Sequence, residues 1–189
     1  MNRDAAEDYA LGLRLLRLSE ADRWDIVRSL SWAQAREWLG RWSFWAHHGQ
    51  AAPEGGWRVW LIRAGRGFGK TRAGAEWVSS LARADPKAVI ALVGASRNEV
   101  RKVMIEGAAG LRAVARPGER LTYYHTTGQL HFPSGAVAHV YSANAPEGLR
   151  GPEHHAAWCD ELAKWRYPAA WDNLVMGLRA KSASGDDPR

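Results

Sequence analysis

The chain has 189 residues, of which 46% are hydrophobic, and its 26 Lys and Arg against 20 Asp and Glu leave a net charge of +6 at pH 7. That length gives room for one ordinary domain rather than two, and the composition supports a core, which excludes a disordered tail or a collagen-like repeat. No run of 18 apolar residues occurs and the first twenty residues carry both signs of charge, arguing against a membrane span or a secretory leader. A lone cysteine, Cys159, permits neither an internal disulfide nor a cysteine-based zinc site.

Residues 1–48 read as a helical N-terminal region. Ser19, with Glu20 and Asp22 behind it, is placed to open a helix carrying Trp24, Ile26, Val27 and Leu30. Ser31 and Gln34 have capping-box spacing, and Trp38, Leu39, Trp42 and Trp45 then follow at helical intervals. Such a stripe is expected to bury an aromatic face, the other reading being a base-stacking platform. His47 and His48 are adjacent, so on a helix they diverge by about 100° and do not share a metal. Gly49–Gly56 (GQAAPEGG) has the composition of a linker or turn.

From Trp57 the pattern becomes strand, loop, helix. Arg58–Ala64 (RVWLIRA) has strand character and leads into Gly65, Arg66, Gly67, Phe68, Gly69, Lys70 and Thr71, followed by a helical stretch from Arg72 to Arg83. This is the order of a phosphate-binding loop, in which glycines let backbone N–H groups converge on phosphate oxygens and a helix N-terminus adds positive potential. Lys70 is then expected at the β- and γ-phosphates and Thr71 at a magnesium ion. The strict pattern asks for glycine at position 64, where this chain has Ala64.

Ala88–Gly94 (AVIALVG) reads as a doubly covered parallel strand, and Ser96 with Glu99 as the cap of a helix through about Gly107. Short alternating segments between Leu121 and Ala143 predict an antiparallel hairpin carrying His125, His131 and His139, which fit no metal-site spacing. His155–Glu161 (HAAWCDE) is an apolar run ending in two carboxylates. Successive residues at a strand end point opposite ways, so Asp160 and Glu161 are free to take different tasks, although an acidic helix start is the plainer explanation of such a pair.

Three segments, WLIRAGRGFGKTRAGAEWV (Trp60–Val78), GLRGPEHHAAWCDELAKW (Gly148–Trp165) and AAWDNLVMGLR (Ala169–Arg179), resemble the ATPase domain of large terminase subunits of tailed phages, prophages and gene transfer agents. The resemblance covers roughly residues 40–179. It implies an α/β P-loop NTPase of RecA-like, ASCE type, with a mostly parallel sheet and flanking helices. The implied activity is an ATP-driven motor, using ATP and Mg2+, that packages double-stranded DNA into a procapsid. The implied partners are a portal, a small terminase subunit and further copies of the chain in a ring, in the cytoplasm of a bacterial host and with no membrane.

By the same resemblance, Lys70 and Thr71 match the phosphate and magnesium positions, Arg66 an arginine finger acting in cis, Asp160 the magnesium carboxylate and Glu161 the catalytic carboxylate. Gln50 matches an adenine-contacting glutamine and Arg150 an arginine reaching a neighbouring subunit's nucleotide, with a buried structural role as the alternative for Arg150. Cys159 reads as a small core residue.

The implied organisation is a helical region at 1–48, an incomplete ATPase domain at 49–179 and a polar tail at 180–189. The coupling strand and the nuclease domain of the family are missing, which predicts a truncated copy or fragment with a gap between the P-loop strand and the carboxylate strand. Asp186 and Asp187 read as part of a solvated tail. Two alternatives stand beside the packaging motor: a helicase-type translocase, and a non-catalytic remnant with at most nucleotide or partner binding.

Overall fold

A computed structural model describes residues 3–53, 55–181 and 187–189, which form two compact units, 1–55 with 60–64, and 56–59 with 65–189. The first unit is helical: α1 (Arg3–Leu16), α2 (Glu20–Ser29), α3 (Trp32–Gly40) and α4 (Trp42–Trp45). Ser19 caps α2 by accepting the Asp22 N–H, and Ser31 and Gln34 form a reciprocal capping box at the start of α3. Each such cap satisfies donors that the helix cannot, worth about 1 kcal/mol.

The tryptophan stripe is not the buried face its spacing predicts. The helix breaks at Arg41, whose backbone is extended, and α2, α3 and α4 bury no residue. Trp32 is 77% exposed and Leu39 68%. The break folds the stripe onto itself: Phe44 lies tilted against Trp38 and edge-on to Trp45, with ring centroids 4.8 and 4.9 Å away, and the Trp45 indole donates to the Trp38 carbonyl at 3.0 Å.

The second unit is built on a five-stranded mixed sheet. β1 (Val89–Gly94) pairs in parallel with β4 (Val137–Ser142) on one side and β5 (Ala156–Cys159) on the other. β2 (Thr122–Tyr124) and β3 (Gln129–His131) add antiparallel at the β4 edge, giving the order β2-β3-β4-β1-β5. α5 (Lys70–Ala84) covers one face, where Val78 and Ala82 pack with Ile90, Leu92, Val140 and Trp158. α7 (Ala169–Gly177) covers the other, where Ala170 and Leu174 meet Ala91, Val93 and Tyr141. With both faces of β1 covered, a continuous apolar run is what the fold requires there.

Ser96 caps α6 (Arg97–Glu99) as expected, but the chain then widens into a π-helix over Val100–Ile105 instead of continuing as an α-helix to Gly107. Arg58–Ala64 forms no strand. A parallel strand is made by ladder hydrogen bonds to a neighbour, not by apolar residues alone, and the five strands pair only with each other.

β5 is therefore an edge strand, and the gap foreseen inside the sheet is not there. Its outer edge is met by returning chain: Ala157 N–H donates to the Arg189 carbonyl at 2.7 Å, and Arg189 N–H to the His155 carbonyl at 3.0 Å. Beside these, His154 N–H donates to the Gly177 carbonyl at 2.9 Å. Buried backbone groups need such partners, so the end of the tail is held rather than solvated. Asp187 is exposed, and Asp186 lies outside the described residues.

Two features of this core generate predictions. A Cβ on Gly74 would overlap the Trp158 indole at Cε2 and Nε1, so α5 approaches β5 more closely than any residue with a side chain allows. Gly74→Ala is expected to destabilise the protein in urea unfolding: overpacking costs about 1–3 kcal/mol, against at most about 1 kcal/mol gained in helix propensity. His154 is 1% exposed, with Nε2 3.0 Å from the Tyr141 hydroxyl and Nδ1 without a hydrogen-bond partner among the described residues. Burial, then the neighbouring His139 and His155, push its pKa down to about 4. The unfolded value is about 6.5, so the full stability is present above pH 6.5 and falls progressively as pH drops from 6.5 to 4, by up to about 3 kcal/mol. Unfolding curves across this window should show that loss, and His154→Gln should flatten it.

Candidate functional site

The glycine-rich loop enters α5 directly. Gly67 and Gly69 have φ of +81° and +89°, a region that residues with a Cβ occupy only at a cost of about 1–2 kcal/mol. Gly65 and Gly67 also have open space where a Cβ would stand. Gly69 caps α5 without a side-chain bond, which leaves the first-turn N–H groups of a 15-residue helix directed into the loop. Lys70 turns back across the loop and its ammonium donates to the Gly65 carbonyl at 2.9 Å. Thr71 and Phe68 are half-buried and Arg66 is exposed.

Asp160 follows β5 immediately and extends its ladder by donating its N–H to the Val93 carbonyl at 2.9 Å. Burial holds its carboxyl above the usual range, Glu161 pushes it further, and Lys164 and Lys70 pull it back. Gly74 seats α5 against Trp158, which directs the first turn of the helix, with Lys70, toward the end of β5, where Asp160 stands two residues after Trp158.

Glu161 has φ 50° and ψ 48°, the only left-handed residue other than glycine among the described residues. Its carboxylate lies 3.9 Å from the Lys164 ammonium, and both side chains are about half exposed. The Trp165 indole donates to the Asp160 carbonyl at 3.1 Å. The Cys159 thiol is pushed up to about 12 by burial and the adjacent Asp160 charge, which keeps it protonated and makes it a packing residue rather than a nucleophile.

Two other sequence candidates are bonded within other segments. Gln50 ends a short 3-10 turn in the first unit, where its side chain accepts the His47 N–H at 3.2 Å. Arg150 groups with α7 instead of the loop: it pairs with Glu147 at 3.4 Å and lines a cavity of about 230 Å³ with Asn173, Met176 and Arg179. His125 and His131 make ring contacts with Tyr123 and Tyr124. Among the described residues no three His, Cys, Asp or Glu side chains are grouped to hold a metal, and no helix is long and apolar enough to cross a membrane.

Two residues the sequence did not single out stand out in the structure, Trp165 at the carboxylate pair and Glu76 in a buried pair on α5. Glu76 is 7% exposed and takes both Nε and a terminal nitrogen of Arg72, at 2.9 and 2.7 Å; burial raises its carboxyl. Their i,i+4 spacing is a readable signal for the pair, though not for its burial. Nothing in the sequence marks the Trp165 bond.

The family model for the N-terminal part of the terminase large subunit, T4likevirus-type, matches residues 61–177. Among solved structures, the large terminase of a thermophilic bacteriophage aligns over 57% of this chain with a TM-score of 0.50 and 14% identity. A second structure of that terminase, in complex with ADP, aligns over 59% with a TM-score of 0.51 and 13% identity. At such identity the likeness is one of fold. In both cases the chain spans 28% of the length of the phage protein. No curated protein matches. Because the family model covers the glycine-rich loop, the sheet, the carboxylate pair and α7, the chain belongs to the terminase large-subunit N-terminal family.

Proposed function

We propose that this chain is a P-loop ATPase of RecA-like, ASCE type, binding ATP with Mg2+ and hydrolysing it as the motor portion of a terminase large subunit that packages double-stranded DNA. The observation that carries the reading is the glycine loop that runs straight into the N-terminus of α5 with the Lys70 ammonium folded over it onto the Gly65 carbonyl. The cradle fits a polyphosphate: open space at Gly65 and Gly67, positive φ at Gly67 and Gly69, uncapped helix N–H groups and one ammonium form an anion site. The donor set also fits Mg2+, which commonly takes one or two protein oxygens and completes its shell with phosphate and water.

In this reading the backbone of Gly65–Gly69 wraps the phosphates, and Lys70 exchanges the Gly65 carbonyl for a phosphate oxygen. Thr71 and Asp160 hold the metal, which would neutralise charge on the phosphates when bound. Arg66, exposed on the loop, is free to swing toward the transferred phosphoryl group, where a positive charge in a desolvated site is worth orders of magnitude in rate. Glu161 orients the attacking water and accepts its proton. Gln50 serves the adenine, and Arg150 serves the nucleotide of an adjoining copy in a ring. The ATPase portion occupies 49–179, preceded by the helical region at 1–48. DNA, the portal and the small subunit are the partners this reading requires, with DNA held by phosphate contacts that weaken steeply with salt.

A second reading, nucleotide binding without turnover, is favoured by one observation: Arg58–Ala64, which leads into the loop, is not held in the sheet. One experiment separates the two. Purified chain is assayed for ATP turnover and for ATPγS binding beside Lys70→Ala and Glu161→Gln. Hydrolysis predicts a loss of about 100-fold or more in both variants, with ATPγS binding weakened in Lys70→Ala and kept in Glu161→Gln. Wild-type turnover no higher than that of Lys70→Ala, with binding intact, leaves only the second reading.

A further inference from the structure

We propose that Trp165 is a positioning residue: its indole N–H latches the peptide between Asp160 and Glu161 and so holds Glu161 in its left-handed conformation, with the carboxylate carried toward Lys164. The functional consequence rests on the hydrolytic reading above; the latch itself does not.

The φ angle of Glu161 turns about its N–Cα bond, so φ is set by whatever holds the peptide that precedes that bond. That peptide is gripped at its carbonyl, where Asp160 accepts the Trp165 indole at 3.1 Å. The following peptide is pinned as well, since the Glu161 carbonyl accepts the Lys164 N–H at 2.8 Å. Between two fixed planes, Glu161 keeps a φ of 50° that it would leave if either plane turned.

The latch is anchored in the core rather than on the surface. Trp165 packs against the cluster formed by Leu174, Ala170 and Tyr141, and its backbone N–H donates to the Leu162 carbonyl at 3.1 Å. A tryptophan in such a position needs some acceptor for its indole. The acceptor it has is the carbonyl immediately ahead of the one strained residue. Without that bond the peptide turns, Glu161 relaxes, and its carboxylate leaves the place from which it would address a water.

Trp165→Phe keeps an aromatic ring and removes the N–H; benzothienylalanine at position 165 keeps the bicyclic shape and serves if the phenylalanine variant does not fold. Glu161→Gly removes the strain, because glycine accepts positive φ. The latch predicts that Glu161→Gly raises the melting temperature by about 2 °C in the wild-type background and not in the Trp165→Phe background, where the strain is already released. Equal gains in both backgrounds overturn the latch. In a chain that hydrolyses ATP, Trp165→Phe should lower kcat about tenfold or more while KM and ATPγS affinity stay within about twofold. Turnover unchanged in Trp165→Phe, or lost in step with binding, overturns the positioning role. A wild-type chain without turnover removes the hydrolytic reading alone, because the thermal comparison still decides the latch.

Discussion

The contact on which the site depends is the approach of α5 to β5 through Gly74 and Trp158. A single Cβ at position 74 would stand well inside ordinary van der Waals contact with the indole. With glycine there, the helix settles onto the sheet, its first turn comes level with the end of β5, and Lys70 comes within electrostatic reach of Asp160. The same contact closes the larger of the two core clusters, where α5, β1, β4 and β5 share buried side chains. Packing and chemistry are thus fixed by one close approach.

Around that contact the protein keeps features that a fold selected only for stability would shed. Asp160 is half-buried beside a second carboxylate, Glu161 is held at positive φ, and Glu76 buries a charge bonded by Arg72. Each opposes folding, since burial penalises charge and a Cβ penalises the left-handed region. Asp160 and Glu161 lie together at the end of β5, and Glu76 stands near the middle of α5. Two adjacent carboxylates at the strand end fit a site in which charge is held ready rather than neutralised. The Arg83–Glu119 pair, farther along α5, is of another kind: two short bonds, at 2.7 and 2.8 Å, tie the helix to the loop ahead of β2 and lower the glutamate's pKa.

Much of this was legible in the sequence where the signal was local. The caps at Ser19 and Ser31, the run that became β1, the alternating segments that became β2, β3 and β4, and the helix after the glycine-rich loop depend on neighbours in the chain. Where the outcome depended on distant partners the reading failed. Arg58–Ala64 is as apolar as a strand but gained no ladder, the tryptophan stripe broke at Arg41, and the tail ended against β5. Periodicity reports which face is apolar and says nothing about whether a covering surface or a pairing strand is supplied.

The sequence by itself determined the glycine-rich loop with its lysine and threonine, the adjacent carboxylates and the family, because these are carried by residue identity at short spacing. Only the tertiary structure decided that α5 closes on β5 through Gly74 and Trp158, that Gln50 and Arg150 bond within other segments, and that Trp165 grips the peptide ahead of Glu161. Those relations join residues from different elements, and they are set by how closely two surfaces pack and which carbonyl an indole reaches, neither of which spacing along a chain encodes.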